Sequence, residues 1–289
     1  MMGGKSLAEG AALLSSSGIP CFSMPEPAIA AIAGMSAYKK LKERPLPDTR
    51  TTDFKPDLKT VKAIFYDVKR DGRLALLGSE AAEIVSAYGI TAAPTIISQS
   101  PDEAAAIADQ LGYPVILKIA SPKIMHKTDV GGVIRDLQTA EEVKHAYVNI
   151  IENVHRYLPK VVPYGIEIQK MMPKGIELIV GMTRDVQFGP LIGFGLGGIF
   201  VNLIKDVSFR LAQGLTSVEI SDMIAETKAY SLMKGFRGEK PVDILAVSEV
   251  IRHLALLATD FPEITEVDIN PVFAYEEGTA ALDVKITLS

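Results

Sequence analysis

Apolar residues along this chain follow two rhythms, and their alternation predicts the order of elements. Ala8 to Ser16 and Pro27 to Leu41 carry apolar residues in helix-like runs, and Ile19-Pro20-Cys21-Phe22 between them reads as a short strand. One strand and two helices cannot bury a core of their own, so this stretch has the character of the tail of an α/β domain. Glu43 to Thr60 then gathers three prolines with Asp and Thr, the composition of an extended linker. From Val61 the alternation changes. Ser79 is placed to cap a helix Glu80–Tyr88 that Gly89 would close. Thr95–Ile97 reads as a strand, Pro101 opens an Ala-rich helix to Leu111, and Pro114–Ile119 is a near-continuous apolar strand of the buried kind.

A long helix is expected from Thr139 through Tyr157. Two strands follow, Gly165–Lys170 and Glu177–Met182, separated by the turn Met172-Pro173-Lys174-Gly175. After a glycine-rich stretch, Gly193–Gly198, helices are expected near Ser217–Thr227 and Asp243–Asp260, and last strands at Glu266–Ile269 and Ala280–Ile286. The mixture is α/β or α+β, with more local hairpins than a doubly wound sheet has.

Composition narrows the function classes. A chain of 289 residues that is 48% hydrophobic and 22% charged can bury a sizeable core and form two lobes. A net charge of −5 argues against a nucleic-acid partner. The single cysteine, Cys21, cannot form an intrachain disulfide, and no Cys/His cluster suits zinc, so a reducing, cytoplasmic setting is expected. The start lacks a signal-peptide apolar region and no run suits a membrane span, so neither secretion nor a membrane is expected.

Three stretches carry candidate chemistry. Lys118 lies in the apolar strand, where an ammonium is costly unless it meets an anion such as a nucleotide phosphate; an edge lysine reaching solvent is the bland alternative. The loop from Ala120 to Gly132 holds Lys123, His126, Lys127 and Asp129. Of the four histidines, His126 alone lies in a loop flanked by cations and glycine, where an uncharged imidazole could attack phosphorus. Gly193–Gly198 is neither a dinucleotide fingerprint nor a P-loop, and close backbone packing explains such glycines equally well; Lys205, Asp206 and Arg210 add charge nearby. In Glu266-Val267-Asp268-Ile269-Asn270, alternate residues share one strand face. The returning strand brings Asp283 towards Asn270, and the pair could hold Mg²⁺ with waters and phosphates, or simply form a solvated hairpin face.

Longer stretches carry a resemblance. GYPVILKIASPKIMHKTDVGGV, GIEIQKMMPKGIELIVGMTRDVQFGPLIGFGLGGIF, KDVSFRLA, KGFRGEKPVD and DFPEITEVDINPV occur in order across roughly residues 70 to 289. Together they resemble the ATP-grasp (β-type) subunit of the NDP-forming acyl-CoA synthetases, such as ADP-forming acetate–CoA ligase, which are relatives of succinyl-CoA synthetase. The resemblance implies α/β architecture of α+β lobes in an ATP-grasp fold, divided as lobes 70–165 and 166–289 after a linker at 43–69. Residues 1–42 resemble the end of the flavodoxin-like ligase domain of fused members.

By the same resemblance, ATP/ADP and Mg²⁺ are the cofactors. Lys118 is the phosphate lysine, Glu167, Gln169, Lys170 and Met171 form the hinge strand beside adenine, and Glu177 is a contact near the ribose. Gly197 and Gly198 border the nucleotide, and Asn270 and Asp283 are the Mg²⁺ ligands. His126 is similar to the family's phosphate-relaying histidine, in the reaction acyl-CoA + ADP + phosphate ⇌ carboxylate + CoA + ATP. A CoA-binding, α-type partner carrying a catalytic histidine and receiving the acyl group would complete a hetero-oligomer. The chain departs from the family at Asn202, where Glu is usual, and at Gln213-Gly214, where Pro is usual. Two other readings predict different chemistry: an ATP-grasp carboxylate–amine ligase, which needs no phosphohistidine, and a non-catalytic nucleotide-binding subunit.

Overall fold

The computed structural model describes residues 6–43, 54–124, 127–198, 206–235, 238 and 240–289. The chain divides into two units, Met1–Asp48 and Thr49–Ser289. The first unit contains α1 (Ser6–Ser16) and α2 (Pro25–Lys42). Between them Ile19 to Phe22 is irregular rather than a strand, since it has no neighbouring strand with which to pair. Ile29, Ile32 and Met35 of α2 are exposed within this unit.

The second unit begins with a helix where an extended linker is expected. Residues 44–53 of the expected linker lie outside the described residues, but α3 occupies Leu58–Arg70. Asp57 caps it, its carboxylate accepting from Lys59 N and Thr60 N at 3.1 Å each. Val61, Phe65 and Val68 recur at i, i+4 and i+7 and are buried, so helical periodicity outweighs the nearby prolines. Next, α4 (Gly78–Ala87) starts before the expected Ser79 cap, because Leu77 holds the cap position and its N–H donates to Glu80 Oε2 at 2.7 Å.

A four-stranded antiparallel sheet follows, in the order β1-β4-β2-β3, from β1 (Thr95–Ser98), β2 (Val115–Ala120), β3 (Val133–Leu137) and β4 (Gly165–Lys170). Leu117, Ile119, Ile166 and Ile168 on one face form a core with α5 (Pro101–Leu111) and α6 (Ala140–Tyr157). Thr95, Lys118, Glu167 and Gln169 occupy the alternate positions and so the opposite face. Gly165–Lys170 thus pairs with β1 and β2.

The second sheet has the order β10-β8-β5-β6-β7, with β9 paired to β8. It comprises β5 (Ile176–Asp185), β6 (Gly189–Leu196), β7 (Val207–Leu211), β8 (Ile264–Ala274), β9 (Thr279–Ala281) and β10 (Val284–Leu288). Leu178, Val180, Met182, Ile192, Val267 and Ile269 point into the larger core, shared with α3, α4, α7 (Ser217–Ala225), α8 (Ala229–Met233) and α9 (Ile244–Asp260). The strands β3, β6 and β7 are additions to the expected set. The glycine-rich stretch is largely β6 itself: a methyl on Gly195 would collide with Asp206 O, and one on Gly193 with the Phe209 ring. No helix among the described residues is long and apolar enough to cross a membrane.

Candidate functional site

The second face of the four-stranded sheet, that of Lys118, Glu167 and Gln169, meets the β9–β10 connection across a narrow cleft. Lys118, Glu167 and Gln169 line it from one side and Leu282 and Asp283 from the other, with Gly78 of α4 at its end. Backbone bonds hold the two sides together: Ala93 N donates to Ala281 O, and Ala281 N to Thr91 O, both at 2.8 Å.

Lys118 is the central cation of the cleft. Its side chain is only 14% exposed, and its Nζ lies 3.6 Å from Asp283 Oδ1. Burial pushes the ammonium's pKa down, Asp283 and Glu167 oppose that shift, and Lys127 and Arg135 add to it. A buried ammonium with one carboxylate at 3.6 Å retains unmet capacity for an anion. Glu167 stands directly opposite Lys118 in the β2–β4 register. Its carboxylate, 1% exposed, accepts from Ser79 N at 2.8 Å and lies 3.5 Å from Lys127 Nζ. Glu167 is thus at the cationic end of the cleft.

Gln169 is a tie between the two sheets. Its Nε2 donates to Thr95 Oγ1 at 2.9 Å and to Leu282 O at 2.8 Å, which uses both amide protons. The Lys170 ammonium is turned out of the cleft and donates to Gly112 O at 2.5 Å and Tyr113 O at 3.0 Å. Met171 N donates to Pro114 O at 3.0 Å. Lys170 and Met171 therefore anchor the end of β4 to the turn before β2. Two of the three ammonium protons of Lys170 and the Met171 N–H are engaged there.

The remaining predicted residues gather along β5, β8 and the end of β6. Gly197 N donates to Glu177 O at 2.8 Å, and Gly198 N to Asn270 Oδ1 at 3.1 Å. Gly198 has φ +66°, a conformation that favours glycine, and the Glu177 carboxylate lies where a methyl would stand. Asn270 N donates to Asp283 O at 3.0 Å, which makes Asn270 and Asp283 neighbours across the β8–β10 pairing as the hairpin length suggests.

Asp268 joins this face. Burial raises its carboxyl pKa, Lys285 opposes that, and Asp283 and Glu266 raise it further. Asn270 and Asp283 thus lie side by side in a region where carboxylates repel each other. An amide oxygen and a carboxylate in such a field fit a small hard dication whose other ligands are water and phosphate.

Met125 and His126 lie outside the described residues, as do Asn202 and Lys205. On the loop's returning limb, Gly132 N donates to Lys127 O at 2.8 Å and Ile119 N to Gly132 O at 2.8 Å. Asp206 and Arg210 are directed away from the glycines: Asp206 Oδ2 accepts from Lys228 N at 2.6 Å, and Arg210 donates to Glu226 Oε1 at 2.6 Å. The contributions that the residue pattern does not show are Ser79 N–H and Leu282 C=O. They are backbone groups brought in from distant segments, and they carry no signal in residue type.

A model described as the ATP-grasp domain matches residues 67–288. The chain is 46% identical over 227 residues to the ADP-forming acetate–CoA ligase I subunit beta of Pyrococcus furiosus, covering 78% of this chain and 97% of that one. It is 42% identical over 290 residues to ADP-forming acetate–CoA ligase I of Archaeoglobus fulgidus, covering 99% of this chain and 41% of the relative. The chain therefore spans about two fifths of that relative's length, and nearly all of the separate subunit's. Among solved structures, the dinucleotide forming acetyl-coenzyme A synthetase 1 of Ca. Korarchaeum cryptofilum aligns with a TM-score of 0.71 and 41% identity. The match covers 79% of this chain and 100% of that chain, which is described in complex with coenzyme A and Mg-AMPPCP, its phosphohistidine segment pointing towards the nucleotide binding site.

Proposed function

This chain belongs to the ATP-grasp family, alongside the β-subunits of ADP-forming acetate–CoA ligases, and from that premise we propose that it is the nucleotide-binding, phosphate-relaying component of an ADP-forming acyl-CoA ligase. The observation that carries this reading is the meeting of Lys118 and Asp283 in one cleft between two antiparallel sheets, with Asn270 bonded to Asp283 beside it. The overall reaction is acyl-CoA + ADP + phosphate ⇌ carboxylate + CoA + ATP.

Lys118 binds the nucleotide's phosphates as a point charge that burial leaves poorly solvated. Asn270 and Asp283 would hold Mg²⁺, which when bound neutralises phosphate charge and fixes its orientation. Glu177, beside Gly197 and Gly198, is set to meet the sugar, and the anchored Lys170–Met171 segment forms a rigid wall for the base. His126 carries the phosphoryl group. In the direction of ATP formation, a terminal oxygen of ADP attacks phosphorus, the imidazole N–P bond breaks, and the bonding pair returns to nitrogen. Phosphoryl transfer asks little covalent chemistry of a protein beyond positioning and charge neutralisation.

The acyl and CoA sites, and the histidine that first receives phosphate, belong on a CoA-binding partner. The subunit designation of the Pyrococcus relative and the greater length of the Archaeoglobus relative support that division. The α1–α2 unit corresponds to the end of a flavodoxin-like ligase domain, a reading supported by the 99% coverage against the longer relative and 78% against the subunit. One cysteine in 289 residues is in keeping with a cytoplasmic setting.

Incubation with Mg²⁺ and γ-labelled ATP, followed by mapping of acid-labile phosphate, tests the relay. Label is expected on His126 in the wild type and absent in Asp283→Ala. Nucleotide binding without label, even with a CoA-binding partner added, would refute the relay and point to a non-catalytic or carboxylate–amine ligase role.

A further inference from the structure

Glu167 is the most enclosed carboxylate in the cleft, at 1% exposure. Three features of an anion site surround it. Ser79 N, in the first turn of α4, donates to Oε1 at 2.8 Å. Lys127 Nζ lies 3.5 Å from Oε2, and Lys118 stands directly opposite on β2, close enough for Glu167 to raise its pKa. Gly78 closes the remaining side, where a methyl would lie 2.8 Å from Oε2. A helix N-terminus with two lysines is the set of groups a phosphate would recruit. Here the occupant is a carboxylate supplied by the chain.

A capping role alone does not account for a charge at this position. The carboxylate receives one N–H and one ammonium at a loose 3.5 Å, which leaves much of its desolvation uncompensated. A neutral amide could also accept from Ser79 N, more weakly but without the cost of a buried charge. We propose that Glu167 is a built-in competitor for the nucleotide's phosphates, pairing with Lys127 while the cleft is empty and releasing it when phosphate arrives. Glu167 thereby sets nucleotide affinity from the cationic end of the cleft, in place of the adenine contact that its position in the hinge strand suggests. This rests on the nucleotide-site reading above and deepens it.

Calorimetric titration of ADP and Mg·ATP into wild type, Glu167→Gln, Lys127→Met and the double variant tests the idea. Removing the buried charge is expected to tighten binding about tenfold, a shift that a single charge close to a lysine can produce. Lys127→Met should weaken binding, and in that background Glu167→Gln should change affinity less than about threefold, since residues acting through one another are not additive. An unchanged or weakened affinity in Glu167→Gln overturns the proposal, and so does full additivity with Lys127→Met. If Glu167→Gln fails to fold, Glu167→Asp draws the charge back from Lys127 and should tighten binding by a smaller factor. Failure of that tightening is equally decisive. A wild type that binds no nucleotide overturns the site reading itself, an outcome separate from a wild type that binds while Glu167→Gln is indifferent.

Discussion

Gly197→Ala is a demanding perturbation, because the obstacle it creates is backbone. A methyl there would lie 2.5 Å from Leu178 O and 2.6 Å from Leu178 C. Leu178 cannot retreat, since on its other side it pairs with Val272 of β8 in the middle of the sheet. The chain at the end of β6 must therefore move away, which breaks the 2.8 Å bond from Gly197 N to Glu177 O and displaces Gly198 N from Asn270 Oδ1. Overpacking of this kind costs about 1–3 kcal/mol, and the lost hydrogen bond adds about 1 kcal/mol. A total of about 2–4 kcal/mol corresponds to a fall in Tm of roughly 5–15 °C for a unit of this size.

Scanning calorimetry of Gly197→Ala beside Gly189→Ala separates the clash from ordinary glycine strain. Gly189 has φ +78°, but a methyl there meets nothing within 4 Å. That control should lose about 1–2 kcal/mol and keep its affinity for Mg²⁺-nucleotide. Gly197→Ala should lose more stability and also bind nucleotide more weakly, because Asn270 loses the N–H that orients its amide. Equal losses in the two variants, or unchanged nucleotide affinity in Gly197→Ala, would refute the reasoning.

Tyr88 is fully buried, and its hydroxyl donates to Asp260 Oδ2 at 2.7 Å, so Tyr88→Phe should cost about 1–2 kcal/mol in urea unfolding and leave nucleotide binding intact; an unchanged midpoint would show that the bond contributes nothing net. His253 stacks on Phe54 at 4.4 Å, and burial depresses its pKa against the opposing charge of Glu249, with Arg252 adding to the depression. The folded state therefore disfavours the proton, so this contribution to stability is complete above the usual histidine value of about 6.5 and is lost as pH falls from there through the depressed folded value. The pH slope of Tm below 6.5 should flatten in His253→Leu, and a slope that persists unchanged would assign it to other groups.

Much of the cleft was legible in residue order because its main features are local. Lys118 is an ammonium in a run of apolar residues, and the burial of Leu117 and Ile119 beside it follows from that run. Asn270 and Asp283 are joined by a hairpin short enough to bring them side by side, as the bond from Asn270 N to Asp283 O shows. What was not legible depends on contacts distant in sequence. The bond that Ser79 N, 88 residues earlier, donates to the Glu167 carboxylate at the head of α4 has no sign in residue order. The tie of the Lys170 ammonium to the turn at Gly112 and Tyr113 is likewise a contact that residue order does not show. The helix α3 was obscured by prolines that precede its cap rather than interrupt it, and β6 by glycines whose missing side chains serve close strand packing.

The charges of the cleft also bear on why a metal should accompany the nucleotide. Lys118 faces Asp283 and Lys127 faces Glu167, so two ammoniums are balanced by two carboxylates before any ligand enters. A nucleotide arriving alone brings several negative charges to a site with no net positive charge among these four groups. It could win the lysines only by leaving both carboxylates unpaired, which is costly at Glu167, 1% exposed, and less so at Asp283, 40% exposed. On the proposed reading Asp283 would hold a dication in place of the ammonium, which would leave Lys118 free to pair with phosphate. No such replacement is on hand for Glu167, whose oxygens already face Ser79 N and Lys127 across the cleft's closed end. On the proposed reading the metal thus settles the Lys118–Asp283 exchange, and the cost that remains at Glu167 is what limits affinity.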